Sequence, residues 1–383
     1  MKHTPGLLEG ITVLDMSQFL SGPFAALRLL DLGARVIKIE RPDGGDLCRR
    51  LYLSDTEIGG DSTLFHAINR GKESFAADFK NPVDIAAVKR LIEKADIVIQ
   101  NFRPGVIERL GLDYEAARKI NPGIVYASIT GYGSPGPWVD RPGQDLLAQA
   151  RSGIMWLNGD PAEGPVPLGL AIADFLAGSA IVQGVLAALV RRGISGAGAH
   201  VETSLLEALV DLQFEVLTTH LNDGERLPKR SNFRNAHAYL AAPSGVYQTA
   251  DGYLALAMTP LDRLAELIAL PDIAGLGSSA PFTDRDAIKR RLAARLAERT
   301  TGEWLSILEP ADIWCASVLD WRELIASEGF GQLDLLQTVT RGADVSVRTT
   351  RSPLRIDGER SRVEAGAPTI GQHSAAIRAE FGL

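Results

Sequence analysis

The chain of 383 residues has few of the residues that build metal or redox sites. Its two cysteines, Cys48 and Cys315, lie far apart, and its six histidines show neither the HxxxH nor the HExxH spacing. Those spacings place metal ligands on one face of a helix, so their absence argues against a metal site. Two isolated cysteines fit a reducing compartment. We therefore expect both thiols to be inert and the protein to be cytoplasmic.

The chain also lacks a basic stripe and a long uncharged apolar run. Its net charge is −7, and Lys and Arg do not cluster along one continuous stretch, which disfavours nucleic-acid binding. No apolar run reaches transmembrane length without a charge, and the segment Met1–Pro5 lacks the apolar core of a signal peptide. We expect neither nucleic acid nor membrane as a partner.

Short apolar runs alternate with helical patterns in the first half of the chain. Helical spacing follows the Ser21-Gly22-Pro23 turn, from Phe24 to Leu32, and recurs up to Ala95. Strands separated by helices predict an α/β fold with a parallel sheet, which binds ligands at the carboxyl ends of its strands. The predicted strands are 11–15, 34–40, 96–100 and 123–129.

Residues 205–217 are predicted to form one helix. The pattern changes near Asn222, and we predict a second, smaller α+β domain there. Residues 245–257 read as a strand, an Asp-Gly turn and a strand, and the helical stretches 260–268 and 285–298 follow. A short strand at 354–356 and a helix at 374–381 are predicted in the tail. The boundaries are 1–222 and 326–383 for the large Rossmann-like domain and 223–325 for the small one.

A nicotinamide cofactor is disfavoured by the first β-α turn. The turn reads Ser21-Gly22-Pro23 instead of G-x-G-x-x-G, and Pro23 removes an N–H that a pyrophosphate would need. Glu40 does end the second strand, where a ribose-binding acid would stand. One glycine turn is too weak a signal to outweigh the missing donors.

Cationic side chains are frequent near the predicted strand ends. Taken singly, each is an ordinary surface charge, but together they could neutralise a polyphosphate. These residues are Arg41, Arg70, Lys72, Lys80, Arg103 and Arg109.

Asp174 stands between a Gly/Pro-rich stretch and the apolar run 175–190. A carboxylate at this place can cap the helix by accepting backbone N–H bonds. It can also be a nucleophile that the positive end of the helix dipole keeps ionised. The capping box is absent because Ala177 occupies the position of its Glu or Gln. From these residues alone, both roles stay open.

Several motifs, in order along the chain, resemble the class III CoA-transferases, the CaiB/BaiF family. The resemblance spans essentially the whole chain and is densest from Leu8 to Ala208. The motifs are Val13-Leu14-Asp15, Gly22-Pro23, Asp31-Leu32-Gly33-Ala34, Val36-Ile37-Lys38-Ile39-Glu40, Gly45-Asp46, Asn69-Arg70-Gly71-Lys72, Asp96 to Gly105, Tyr126 to Gly133, Gly143 to Gly153, Asp174 and Gly371-Gln372-His373.

The resemblance implies a Rossmann-like domain built from both ends of the chain, a small domain between them, and an interlocked homodimer. It implies coenzyme A as the carried substrate, with no metal and no nicotinamide. Leu20 and Ser21 would face the thioester, and Arg41 would lie against adenine. Adenine, ribose or phosphates would be surrounded by Lys80, Asn101, Phe102, Arg103 and Arg109, and Gln144 and Asp145 would complete the CoA site.

Asp174 matches the family's catalytic aspartate. The resemblance implies that it attacks an acyl-CoA to form an aspartyl anhydride and then an aspartyl-CoA thioester, from which an acceptor acid takes CoA. Such covalent steps divide a difficult exchange into easier ones. We expect the helix N-terminus to favour the ionised carboxylate.

The chain departs from related enzymes at two positions. The catalytic histidine of the α-methylacyl-CoA racemases falls at Gln144, and an amide does not exchange a proton at neutral pH, which disfavours racemase activity. Leu20 replaces the glutamine of the formyl-CoA transferases, which makes an oxalate/formate specificity doubtful. A 2-methylacyl-CoA racemase or epimerase and a non-catalytic CoA-binding protein remain the alternatives. His237, within 234–239, could hold the substrate carboxylate or lie in an ordinary loop.

Overall fold

The computed structural model of the protein describes residues 6–133 and 135–383, so the interpretation of Met1–Pro5 lies outside the described residues. Backbone contacts divide the chain into two compact units. Of the described residues, the first contains those from 6 to 148, 171–212 and 334–383, and the second contains 149–170 and 213–333.

A six-stranded, wholly parallel sheet forms the centre of the first unit, with the strand order β5-β2-β1-β6-β7-β8. Four of its strands carry near-continuous apolar runs, as expected for strands covered on both faces. The strands are β1 (Thr12–Asp15), β2 (Arg35–Glu40), β5 (Glu73–Ala76), β6 (Ile97–Gln100), β7 (Val125–Thr130) and β8 (Ala199–Ser204).

Two short antiparallel pairs accompany this sheet. They are β3 (Glu57–Ile58) with β4 (Asp61–Ser62), and β12 (Leu336–Arg341) with β13 (Val345–Thr350).

Helices cover the sheet, and α7 packs against α1, α8, β7 and β8. Buried side chains from β1, β2, β6 and α3 form one continuous apolar cluster, which the tail helix α16 joins through Ile377. The helices are α1 (Ser21–Asp31), α2 (Thr63–Asn69), α3 (Pro82–Lys94), α4 (Val106–Arg109), α5 (Tyr114–Ile120), α7 (Ile172–Ser195), α8 (Leu205–Leu212), α16 (Ser374–Phe381) and the 3-10 turn Leu47–Arg50; α6 (Asp145–Ser152) continues from this unit into the second.

The second unit has its own core around Tyr247, Leu254, Leu292 and Trp304. Its antiparallel sheet has the order β11-β10-β9, from β9 (Gly245–Gln248), β10 (Tyr253–Leu256) and β11 (Cys315–Ser317). Its helices are α9 (Phe214–Asn222), α10 (Leu261–Leu267), α11 (Ala280–Thr283), α12 (Arg285–Leu296), α13 (Thr301–Leu308), α14 (Trp321–Ala326) and α15 (Glu328–Leu333), with 3-10 turns at Ile154–Trp156, Pro161–Glu163, Pro271–Ile273 and Glu309–Ala311.

Three local predictions are corrected. Helix α1 begins at Ser21 instead of Phe24, because Pro23 falls in the first turn, where a missing N–H costs nothing. Residues 354–356 form no strand; Ile356 makes only an isolated bridge with Glu359. The helix predicted over 205–217 is two helices, α8 and α9. The domain boundaries at 223 and 325 stay a prediction; in the structure the second unit groups 149–170 with 213–333.

Helix α7 is apolar and long enough to cross a membrane by length and composition alone. One such helix is weak evidence, because core helices pass the same test. Within the first unit, α7 contacts two strands of the sheet and buries Ala173, Ala177, Ile181 and Val185. Packing within this unit therefore accounts for part of the apolar character of α7, since 33% of its apolar window is buried.

Candidate active site

Asp174 lies in the first turn of α7 but does not cap it. The N-cap position is Ala171, and the Asp145 Oδ1 atom accepts the Ala173 N–H at 2.6 Å. Asp145 is buried at the first position of α6, 28 residues earlier in the chain. Of the two roles left open for Asp174, the capping role is therefore excluded, and Asp145 takes it.

The surroundings of Asp174 favour its protonated form. Burial raises the pKa of Asp174 to about 6, and the neighbouring Asp145 carboxylate contributes in the same direction. The hydroxyl and the backbone N–H of Ser21 oppose this rise in pKa. We expected the helix N-terminus to favour the ionised carboxylate; burial instead raises the pKa of Asp174, but only to about 6, so the carboxyl still ionises below neutral pH.

Ser21 reaches Asp174 because α1 and α7 pack closely. A Cβ at Gly178, one turn after Asp174, would lie 2.7 Å from the Ser21 carbonyl oxygen. Phe24 of α1 and Phe175 of α7 meet edge to face with their ring centroids 5.0 Å apart. Glycine at 178 therefore permits the close approach of the two helices that brings Ser21 near Asp174.

The loop before α1 is held in place by contacts with Asp46 and Lys38. Its residue Phe19 has a left-handed φ of 62°, and its N–H donates to Asp46 Oδ1 at 3.1 Å. Such a conformation persists only where neighbouring contacts enforce it. The Lys38 Nζ atom holds both this Asp46 carboxylate, at 2.8 Å, and the Ser17 carbonyl oxygen, at 3.0 Å.

A fully buried network of four charged side chains lies next to this loop; its members are Asp15, Lys38, Asp46 and Lys72. Lys72 contacts Asp15 at 2.8 Å and the Pro23 carbonyl oxygen at 2.8 Å, and Asp15 lies 3.7 Å from Lys38. Burial would raise the pKa of Asp15, but the two lysines lower it below its usual value. Burial also lowers the pKa of Lys72 to about 8, against the opposing effect of Asp15. The network is internally paired, as buried charges must be.

The structure brings six of the residues predicted to bind CoA to one edge of the sheet. They follow the carboxyl ends of β2, β5 and β6, which meet at one edge because the strands are parallel. The Phe79 and Phe102 rings pack with their centroids 6.1 Å apart, and the four cations are exposed. These residues are Arg41, Lys80, Asn101, Phe102, Arg103 and Arg109.

The remaining predicted residues lie at the beginnings of α1 and α6. Leu20 is the buried N-cap residue of α1, directly before Ser21. Gln144 is exposed, and its carbonyl oxygen accepts the N–H groups of Leu147 and Ala148 at the start of α6. Asp145 follows it and turns inward to α7.

Two of the cations are not surface charges. Arg70 is buried against Asp31 at 2.7 Å, and Lys72 belongs to the buried network. Neither is placed to meet a phosphate from solvent. Glu40 is likewise occupied: it pairs with the buried Arg49 at 2.7 Å. A free ribose-binding acid is therefore not found at the end of β2.

In the second unit, His237 Nε2 lies 2.7 Å from Glu215 Oε1. A separate cavity of about 540 Å³ has mainly apolar walls that include Trp156, Leu217 and Leu227. None of the predicted site residues lines it. Among the residues that the structure describes, no group of three His, Cys, Asp or Glu side chains could hold a metal ion.

The contacts that hold the start of α7 and the loop before α1 were not predicted from the sequence. The cap from Asp145 to Ala173 and the contact of Asp46 with Phe19 join residues 28 and 27 positions apart. The pairing of Lys38 with Asp46 depends on burial, which a sequence does not show. The only available signal was their position inside motifs, such as Gly45-Asp46, whose individual roles a sequence does not specify.

A parallel sheet with a carboxylate at the mouth of a central helix and cations along the strand ends is suited to acyl transfer from a phosphorylated carrier. The sequence model of CoA-transferase family III matches residues 8–374, and the chain belongs to this family of enzymes.

Individual relatives support the assignment. The chain is 33% identical to the succinate–glutarate CoA-transferase of Agrobacterium fabrum, over 98% of this chain and 95% of that protein. It is 33% identical to the acetyl-CoA:oxalate CoA-transferase of Acetobacter aceti, over 98% and 96%. A CaiB/BaiF family protein from Brucella suis has a similar crystal structure, with a TM-score of 0.85, 31% identity and coverage of 99% and 100%.

Proposed function

We propose that the protein moves CoA from an acyl-CoA thioester to a carboxylic acid through covalent intermediates on Asp174. The observation that carries this proposal is a partly buried carboxyl at the start of α7 that receives two donors from Ser21 and still ionises with a pKa of about 6. A carboxylate of this kind is a charged nucleophile at neutral pH, and its desolvation raises its reactivity.

In the first half-reaction, an Asp174 oxygen attacks the thioester carbonyl, the C–S bond breaks, and CoA leaves as the thiolate. The thiolate then attacks the Asp174 carbonyl carbon of the mixed anhydride, and the donor acid departs as a carboxylate. Asp174 is now a thioester with CoA. One thioester has replaced another, so the exchange needs no external energy source.

In the second half-reaction, the acceptor carboxylate attacks the aspartyl-CoA carbonyl and releases the thiolate once more. The thiolate attacks the acceptor side of the new anhydride, which gives the new acyl-CoA and restores the Asp174 carboxylate. Leu20 and Ser21 lie beside the reacting group in this scheme, and the cations after β2, β5 and β6 receive the phosphates of CoA.

An exchange assay tests the proposal. Relatives named for succinate, glutarate and oxalate suggest succinyl-CoA as the first donor, with glutarate, oxalate and other small acids as acceptors. We expect a new acyl-CoA to form only when an acceptor acid is present. Failure of every donor and acceptor pair, with deuterium exchange on a 2-methylacyl-CoA instead, would favour the racemase alternative.

The rate of transfer should fall as the pH drops below about 6. The nucleophile is the deprotonated carboxylate, and burial with the nearby Asp145 raises the pKa of Asp174 to about 6. Protonation therefore removes active enzyme on the acidic side and leaves the rate unaffected on the alkaline side. The pH profile of kcat measures this; an acidic limb near pH 4 would contradict the stated environment of Asp174.

A homodimer and a cytoplasmic location belong to the same proposal. Large apolar side chains are exposed on each unit, among them Ile194, Leu227 and Trp321, as interfaces require. Both cysteines are unpaired, which suits a reducing compartment. Sedimentation should give twice the mass of one chain, and the mass of a single chain would refute the dimer.

A further inference from the structure

The Asn101 side chain is held in a single orientation. Its Oδ1 atom accepts the Gln18 N–H at 2.8 Å, and its Nδ2 atom donates to the Gln18 carbonyl oxygen at 2.7 Å. Gln18 thus presents its backbone N–H to the amide oxygen of Asn101 and its backbone carbonyl oxygen to the amide nitrogen. A flipped amide would place like groups together at both contacts, so the assignment of O and N is determined.

The same nitrogen reaches Ser21. Nδ2 carries two hydrogens: the first goes to Gln18, and the second is directed to the Ser21 Oγ atom at 3.3 Å. Both donors of Asn101 are therefore used within the protein. It has no remaining N–H for a ribose or phosphate of CoA while these two bonds persist.

A serine hydroxyl has one hydrogen to donate. Because Asn101 donates to a lone pair of Ser21 Oγ, the Ser21 hydrogen is directed away from Asn101 and is available to another acceptor. The neighbouring acceptor is the Asp174 carboxyl, whose pKa is lowered by the hydroxyl and the backbone N–H of Ser21. The close contact of Ser21 with Gly178 on α7 keeps the two groups adjacent.

We propose that Asn101 is a positioning residue that fixes the loop before α1 and directs the Ser21 hydroxyl hydrogen to Asp174. This inference rests on the proposed function of Asp174 as the nucleophile. It gives Asn101 a task that acts through Ser21, in place of direct contact with CoA. The Phe19–Asp46 contact also holds this loop.

The consequence is specific to the ionisation of Asp174. Without Asn101, the Ser21 hydroxyl is free to rotate, and the ionised carboxylate loses part of its hydrogen bonding. A carboxylate that loses a donor becomes more basic. Asn101→Ala should therefore shift the acidic limb of kcat to higher pH by about one unit or less, with a change in the KM for acyl-CoA of less than about threefold.

A double-mutant cycle separates this role from others. Ser21→Ala should produce the same shift, and Asn101→Ala should add nothing in the Ser21→Ala background, because the two residues act in series. Additive shifts, or a large rise in the KM of Asn101→Ala with an unmoved limb, would overturn the inference. The second of these results would identify Asn101 as a CoA contact.

Asn121→Ala provides a matched control. The Asn121 amide also makes three hydrogen bonds, to Ile92, Ala95 and Gly123, but it lies after α5, before the amino end of β7. Its removal should lower stability without moving the acidic limb. A shift equal to that of Asn101→Ala would show a general effect of lost packing and would refute the specific role.

A second readout works without any transfer activity. Carbodiimides modify protonated carboxyls, so the modification of Asp174, located by peptide mass spectrometry, should decline through its pKa as the pH rises. This decline should move to higher pH in Asn101→Ala and in Ser21→Ala. If no substrate pair supports transfer but the decline moves, only the proposed function fails; if transfer occurs and neither profile moves, only this inference fails.

Discussion

Replacing Asp174 with alanine should lower kcat for CoA transfer by at least about a thousandfold. Without the carboxylate, neither the anhydride nor the aspartyl thioester can form, and the remaining site offers only binding. The KM for acyl-CoA should change far less, because the predicted phosphate contacts lie at the ends of β2, β5 and β6. Asp211→Ala, at an exposed position of α8, is the matched control and should retain full activity.

The isosteric variant Asp174→Asn should be equally inactive, yet more stable at neutral pH. A raised pKa in the folded protein means that folding favours the protonated carboxyl, so its stability contribution declines as the pH rises from 3.8 to about 6. A neutral amide avoids that cost, and we expect a gain of about 1 kcal/mol at pH 7 that disappears near pH 4. Equal stability at both pH values would argue against a desolvated nucleophile.

Lys38→Met should lower the free energy of unfolding by about 3–5 kcal/mol. Lys38 lies on β2 with no exposed side-chain surface and neutralises Asp46 at 2.8 Å. Burial alone would lower the pKa of Lys38, but the nearby Asp15, Asp46 and Glu40 carboxylates have the larger effect and raise it above its usual value. The ammonium is therefore charged at every physiological pH. Its loss leaves a buried carboxylate without a cation, which is costly to maintain. Urea unfolding followed by circular dichroism measures the change.

Two further variants show whether that loss is electrostatic. Arg118→Met breaks an exposed pair with Glu115, whose side chains are 54% and 64% exposed, and should cost no more than about 0.5 kcal/mol. Adding Asp46→Asn to Lys38→Met removes the uncompensated charge and should restore part of the stability. Equal losses for Lys38→Met and Arg118→Met would contradict a stabilising network.

The parallel sheet could be predicted because its strands are strongly apolar. The side chains of Val36-Ile37 and Ile97–Ile99 are buried on both faces of the sheet. Continuous apolar runs that lie between helical patterns are typical of parallel strands. The start of α1 was missed because Ser21-Gly22-Pro23 has the composition of a turn, and only the geometry shows that Pro23 falls where no donor is needed. The strand predicted over 354–356 is not formed for a related reason: a short alternating apolar segment forms a strand only if a partner strand lies beside it.

The sequence selected the residues of the candidate site but could not give their contacts. The motif resemblance identified Asp174 and the cations at the strand ends, whose roles stay predictions. It could not separate Lys72 and Arg70 from Arg41 and Arg103, since burial is a property of the fold. Nor could it show that Asp145, and not Asp174, caps α7, or that Asn101 meets a serine 80 residues away.

The central claim is that Asp174 carries CoA as a thioester during transfer. The direct measurement is to mix the enzyme with an acyl-CoA donor, add hydroxylamine, digest the protein and determine the mass of the peptide that contains Asp174. Attack of hydroxylamine on the aspartyl thioester should leave a hydroxamate on Asp174 only when the donor is present. An unmodified Asp174 in enzyme that transfers CoA at full rate under the same conditions would contradict the mechanism.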